Sequence, residues 1–346
     1  MTGPSHIYQQ NPETMALGNN PSPIWRGVQK TLLNTAGVVP YTVSTETPAA
    51  LIFSGKATNR PGETSVVVEL FDILAPHLRQ SLPPLEDAYI NDTPLIVSSL
   101  FARRFVLGYG GSTEDIDVRG SYDYNHAELA VPVTHEIPLG FPIVKSYDYA
   151  AAGYISLMKG GTAVLQVYNS AAQAVNVVFP TSEAVNVGDE LSITPDSHEQ
   201  DNEKFKIVAN CGYRYGLYYV NAAGFWNCLP IRGIVKRTDS FERENAESFR
   251  RLNAMTDADR RAVRIDTSVS WEIHTGLLTD LESLRFSMNV PGSPMVLLFD
   301  YEDAGKMYPV QVVDTSAPHG LTIATNGRRP VDYTLTVQLL QDRSRL

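Results

Sequence analysis

Runs rich in β-branched and aromatic residues recur along this chain, about ten residues apart and separated by glycine, proline or asparagine turns. This recurrence limits the fold more than any other feature of the sequence. Ala50–Gly55 is a short apolar run closed by glycine, and Asn59–Gly62 is a turn signal. Thr64–Ile73 and Leu95–Val106 each read as a strand, and Gly108–Gly111 breaks the second as a turn. Tyr154–Met158 and Ala163–Tyr168 flank Lys159-Gly160-Gly161-Thr162, the pattern of a tight hairpin. Val175–Phe179 and Phe205–Ala209 continue the series, with the polar loop Asp196–Lys204 between them. The spacing predicts a mainly β protein built of sandwich- or barrel-like domains.

With 346 residues, the chain has room for two or three such domains. Residues 1–48 are polar at first and read as an extended N-terminal arm. Residues 49–205 read as a β-sandwich-like domain, and residues 206–346 as a second β domain. Inside the latter, 238–264 is dense in charge of both signs and poor in β-branched residues. It predicts an exposed, partly helical connector or a long loop. Its arginines Arg243, Arg250, Arg251, Arg260 and Arg261 are candidates for salt bridges to a partner. One short helix is expected over 279–289. Thr279-Asp280-Leu281-Glu282 has the form of a capping box, and Leu281, Leu284 and Met288 follow at helical spacing. Pro291-Gly292 ends it.

Charged residues make up 19% of the chain, below the ~25% of an average soluble domain. Together with 17 tyrosines, this fits β faces that are half-buried or covered by a partner. The formal net charge of −10 argues against a broad nucleic-acid surface, which needs a clustered positive field. No run approaches the ~20 apolar residues of a membrane span. The N-terminus lacks the basic and apolar regions of a secretory signal. Cys211 and Cys228 are too few for a disulfide framework and match no zinc spacing. They read as reduced, buried thiols, with a cross-strand disulfide the other option.

Motifs for chemistry are sparse. No phosphate-binding loop, nucleophile elbow or H-E-x-x-H motif occurs. Glu114, Asp115, Asp117, Asp123 and Asn125 supply oxygen ligands of the kind a hard cation needs, but their order matches no EF-hand. An extended turn with exposed acids is the expectation there. His135-Glu136 and His198-Glu199 are adjacent pairs, which a strand would point to opposite faces. No catalytic residue, cofactor or metal site is expected, and the chain reads as a non-enzyme. The aromatics Tyr213, Tyr215, Tyr218, Tyr219, Phe225 and Trp226 cluster in sequence. They suit core packing, interface anchoring or a sugar-stacking platform. Tyr218, Tyr219, Phe225 and Trp226 are the interface candidates.

That cluster lies in Cys211–Gly233, which resembles the pattern LYYxNxxGGWDxxxIxG of tail structural proteins from phages and prophages of the Bacteroidetes. Phe225 stands where the pattern has its second glycine, and Asn227 where it has aspartate. Val235–Asp239 resembles the basic-Thr-Asp segment that follows there, and Trp271–Thr279 resembles its TGWL step. The strands Val296–Asp300 and Tyr308–Val313 and the ending Tyr333–Gln338 also fit, so the likeness covers Cys211–Leu346. It implies a distal-tail or tail-ring subunit, made in the host cytoplasm and residing in the virion. Such a subunit would self-associate into a ring and dock other tail or connector proteins. A carbohydrate-binding or adhesin β-sandwich is the alternative, and a tail-tip glycan hydrolase a third reading.

Overall fold

The computed structural model describes residues 22–24, 29–33, 38–46, 49–58, 65–78, 80–120, 134–181, 185–195, 203–221, 224–248, 259–276, 278, 286–287, 289–316 and 332–340. The chain is mainly β, with several antiparallel sheets and few helices.

The N-terminal part contains β1 (Ser22–Ile24), β2 (Gln29–Leu33), β3 (Val38–Thr45), β4 (Ala50–Thr58) and β5 (Ser65–Glu69). Helix α1 (Phe71–Leu74), a 3-10 turn, α2 (Leu85–Asn91), β6 (Leu95–Ser98), β7 (Ala102–Tyr109) and β8 (Ser112–Gly120) follow. A five-stranded sheet runs β1-β8-β7-β3-β4, and β2 pairs with β5. Residues 38–45 are therefore not part of an arm. They alternate strictly, with Val39, Tyr41 and Val43 buried against Phe105 and Leu107. The expected strand Leu95–Val106 is two strands, β6 and β7, which enter different sheets. Phe101 sits between them, buried against Ala102 and Ala174 with Phe225 packed on this group. Helix α2 is not among the elements expected from the sequence. It starts after Pro84, buries Leu85 and Ala88 three residues apart, and ends at Asp92 in the left-handed conformation (φ 47).

The middle part holds β9 (Thr134–Pro138), β10 (Ile143–Ala150), β11 (Gly153–Lys159), β12 (Thr162–Asn169), β13 (Gln173–Phe179), β14 (Glu190–Pro195) and β15 (Lys204–Val208). One sheet runs β10-β13-β6 and another β12-β11-β14-β15-β9. They share one core, with Ile143, Val177 and Phe179 on one side and Ile155, Leu157, Ile193 and Phe205 on the other. The Gly160-Gly161 hairpin forms as expected, with φ of 56° and 84°. Gly110-Gly111 repeats it between β7 and β8 with φ of 57° and 82°. Two successive positive φ values define a type I′ turn, whose twist matches that of the strands it joins. The expected domain boundary at 205/206 falls inside β15, so Phe205 and Ile207 belong to the sandwich core.

The C-terminal part contains β16 (Tyr215–Val220), β17 (Trp226–Pro230), β18 (Val235–Ser248), β19 (Asp259–His274), β20 (Val296–Asp300), β21 (Lys306–Ser316) and β22 (Thr334–Leu339). They form a seven-stranded sheet, β17-β16-β20-β21-β22-β19-β18. Its strands β16 and β20 are buried on both faces. Tyr218, Val220, Leu297 and Phe299 join the sandwich core. Their neighbours Leu217, Tyr219, Val296 and Leu298 join a second core with Trp271, Ile273, Leu335 and Val337. Burial on both faces explains why Leu217–Val220 and Val296–Phe299 are unbroken apolar runs rather than alternating ones. Of the helix expected over 279–289, the described residues Phe286, Ser287 and Asn289 are helical, and the Val290 N–H bonds the Phe286 carbonyl at 3.0 Å. The capping residues Thr279 and Glu282 lie outside the described residues.

Aromatic rings lock the sandwich to the seven-stranded sheet. Phe141 stacks on Tyr301 at 5.7 Å, and Tyr89 of α2 meets Tyr301 edge-on at 5.8 Å. Gly140 (φ +96) lets this contact close, because a Cβ there would lie 2.5 Å from the Tyr301 ring. Gly140→Ala combines a forbidden backbone conformation with a clash against a packed ring. It should destabilise the fold by about 2–4 kcal/mol in urea unfolding. Gly160→Ala meets no atom within 4 Å, so backbone strain alone applies and about 1–2 kcal/mol is expected.

Candidate functional site

Most of the aromatic interface candidates lie inside the protein. Tyr218, Tyr219 and Trp226 are 0%, 5% and 2% exposed. They are core residues, so the expectation that they anchor an external interface is corrected. The Tyr218 hydroxyl donates to the Pro142 carbonyl at 2.7 Å. Phe225 is half-buried and meets Phe101 edge-on at 5.6 Å. Tyr213 and Tyr215 are half-buried too. Arg232 donates to the Tyr213 hydroxyl at 2.8 Å, and the Arg214 guanidinium lies 4.9 Å from the Tyr215 ring centre. Tyr218, Tyr219 and Trp226, buried in the core, offer no open stacking face of the kind the sequence suggested.

Trp226 is also held by polar bonds. Its indole N–H donates to the Ser81 carbonyl at 3.1 Å, and its backbone N–H to Ser146 Oγ at 3.0 Å. Ser146 donates to Asn176 Oδ1 at 2.8 Å. The Asn176 amide donates to Gln80 Oε1 and the Ser81 carbonyl at 2.8 and 2.9 Å. The Gln80 amide in turn donates to the Gly224 carbonyl at 2.6 Å. The chain around Gln80 is thereby fixed to β10, β13 and β17. Buried polar groups satisfied in this way specify one arrangement of a core.

The charged stretch 238–264 is the second correction. Instead of a partly helical connector, its described residues are strand. β18 and β19 pair from Val235↔Ile273 out to Ser248↔Asp259, with one bulge between Glu244 and Asn245. Only the base of this hairpin belongs to the wider sheet, because β19 pairs with β22 over Ser270–His274. From Asp239↔Val269 outward the two strands pair with each other alone among the described residues, and β18 is a sheet edge. At ~3.3 Å per residue this ribbon runs roughly 30 Å past its last partner in the sheet. At its base Ser240 Oγ and Ser268 Oγ share a hydrogen bond of 2.5 Å. The register sets Arg243 opposite Ile265, Ala246 opposite Arg261 and Glu247 opposite Arg260. Arg250 and Arg251 lie outside the described residues.

The remaining polar candidates separate. Glu114, Asp115 and Asp117 lie on β8, not on a turn. Asp115 forms an ion pair with Arg104 at 3.6 Å. Asp123 and Asn125 lie outside the described residues, among which no three His, Cys, Asp or Glu side chains gather as a metal group. His135 and Glu136 have different partners, as adjacent strand residues should. His135 Nε2 lies 2.6 Å from Glu203 Oε1, and the ring stacks on Phe205. Lys145 pairs with the same carboxylate. Glu136 accepts from Arg232 at 2.7 Å. His198-Glu199 is outside the described residues. No helix among those residues is long and apolar enough to cross a membrane.

Both cysteines are free thiols, but Cys211 is exposed rather than buried. Burial pushes the half-buried Cys228 thiol up to about 12. A thiol-specific disulfide reagent at pH 8 should therefore label Cys211 at once and Cys228 only after unfolding. Two fast thiols on the native protein would contradict this placement.

Sequence reasoning missed the exposed tyrosine pair Tyr154 and Tyr168 at the open end of the Gly160-Gly161 hairpin, 48% and 57% exposed. A signal for it exists, since that turn pairs the two residues and their strand neighbours Ile155 and Val167 are the apolar ones. Comparison with protein-family models and with curated protein sequences finds no match to this chain.

Proposed function

We propose that this chain is a structural subunit of a bacteriophage tail or connector, self-associating into a ring and docking neighbouring tail proteins in the virion. The observation that carries the reading is the ribbon of β18 and β19, paired beyond Asp239↔Val269 only with itself among the described residues. A two-stranded ribbon in water is marginally stable by itself. A long charged one gains its stabilisation when a second surface covers it. Head-to-tail contacts between copies are heterologous and close into rings when the rotation allows. The resemblance of Cys211–Gly233 to tail structural proteins adds to this reading. Its matched residues occupy core strands, which suits a structural family. An enzymatic role is not part of the proposal.

The test is the mass of the purified chain by light scattering as concentration rises, followed by negative-stain imaging. Closed rings of uniform copy number are the expected result. A monomer at every concentration, with no cross-linked contact between copies, would overturn the self-association reading.

A further inference from the structure

Where β12 and β11 run beside Ser192 and Thr194 of β14, the outer face of the sheet is polar, aromatic and uncharged. Ile155, Leu157 and Ile193 on the inner face are at most 1% exposed, so their strand neighbours point outward. Those neighbours are Tyr154, Ser156 and Met158 on β11, Gln166 and Tyr168 on β12, and Ser192 and Thr194 on β14. None of them carries a charge. Charge on this face begins at Glu190, the first residue of β14 itself, and continues with Lys204 and Lys206 on β15. The rings of Tyr154 and Tyr168 meet at 5.2 Å with an interplanar angle of 64°. They remain about half exposed, 48% and 57%. Beside them the Gln166 amide donates to Ser156 Oγ at 3.0 Å. Ser156 itself is buried at 4%, so this bond fixes the exposed Gln166 amide in one orientation and leaves the amide, with Ser192 and Thr194, as the polar groups of the strip.

We propose that this strip, independently of the assembly reading, binds a neutral oligosaccharide. A sugar ring presents an apolar C–H face, which an exposed aromatic ring can cover. Its edge carries hydroxyls, which amide and hydroxyl side chains bond without any need for charge. Both partners are present here within one strand spacing. A protein-docking patch would instead need a larger contiguous apolar area. An anionic glycan would meet no cation among these seven side chains, on a chain of net charge −10. The stacking role that the sequence suggested for Tyr213–Trp226 thus moves to a different hairpin.

The experiment uses the full chain and three neutral tetrasaccharides, a β-1,4-glucan, an α-1,4-glucan and a β-1,4-linked N-acetylglucosamine tetramer. Binding is read by saturation-transfer NMR and calorimetry. At least one should bind saturably, with an affinity unchanged by 1 M salt. Tyr154→Ser with Tyr168→Ser should weaken it about tenfold or more, while Tyr154→Phe with Tyr168→Phe, which keeps both rings, should retain it. If the serine pair fails to fold, Gln166→Ala serves in its place, with about threefold weaker binding expected from the lost amide. No binding by any of the three sugars, wild-type affinity in the serine pair, loss in the phenylalanine pair, or loss in salt would each overturn the proposal.

Discussion

If the ring assembly proposed above is built on the ribbon, replacing Arg243–Ile265 with an Asn-Gly turn should leave a folded monomer that forms no rings. The register sets Glu242 opposite Asp266, so a two-residue turn can close the shortened hairpin at that pair. Everything joined to the seven-stranded sheet is kept, including Trp271 and Ile273 of its core. The urea midpoint should therefore stay near that of the full chain while the scattering mass falls to one copy. The deletion also removes Arg243, Arg250, Arg251, Arg260 and Arg261 together. Reversing only those charges is a milder change, because exposed ion pairs contribute about 0.2–1 kcal/mol each. Charge reversal should weaken the rings and make them salt-sensitive rather than abolish them. A trimmed chain that still forms rings would place the contact elsewhere, with the sheet edges β4 and β17 next in line.

Trp226→Ala should destabilise the fold more than either glycine substitution. The side chain is among the largest fully buried ones. Truncating a buried tryptophan costs about 3–5 kcal/mol through lost burial and the cavity left behind. The Ser81 carbonyl would also lose one of its two donors, although Asn176 still bonds it at 2.9 Å. Trp226→Phe separates the two effects. It keeps most of the apolar volume and removes the indole N–H, so a loss of about 1–2 kcal/mol is expected. Urea unfolding of both variants checks the pair. A Trp226→Ala chain within about 1 kcal/mol of wild type would mean that the ring is not packed as described.

Features set by local chemistry are legible in the sequence, and those set by distant contacts are not. Gly110-Gly111 and Gly160-Gly161 are readable because positive φ at two successive residues nearly requires glycine. The mainly β class is readable for the same reason, since each strand and turn announces itself over a few residues. Tyr218 and Trp226 are ambiguous because an aromatic-rich strand looks alike whether its second face meets solvent or another core. Only the partners on β10 and β20 decide that, and they come from far away in sequence. The ribbon misleads for the opposite reason. Outer β18 has no hydrophobic alternation, and its mixed charge resembles that of a solvated helix, although β19 does alternate over Val263, Ile265, Val269, Trp271 and Ile273. Helix α2 is hidden by its length of 7 residues and by the prolines before it.

The β18–β19 ribbon has a mechanical consequence as well. Its strand β19 does not stop at the sheet but runs into it, with Ser270–His274 alongside Gln338–Thr334 of β22. Tension applied along the ribbon would load this strand pair lengthwise. Its hydrogen bonds, perpendicular to the strands, would then share the load in shear instead of opening one by one. A pull across the ribbon would peel β18 from the sheet edge with far less resistance. The chain is therefore stiff along one direction and compliant along another.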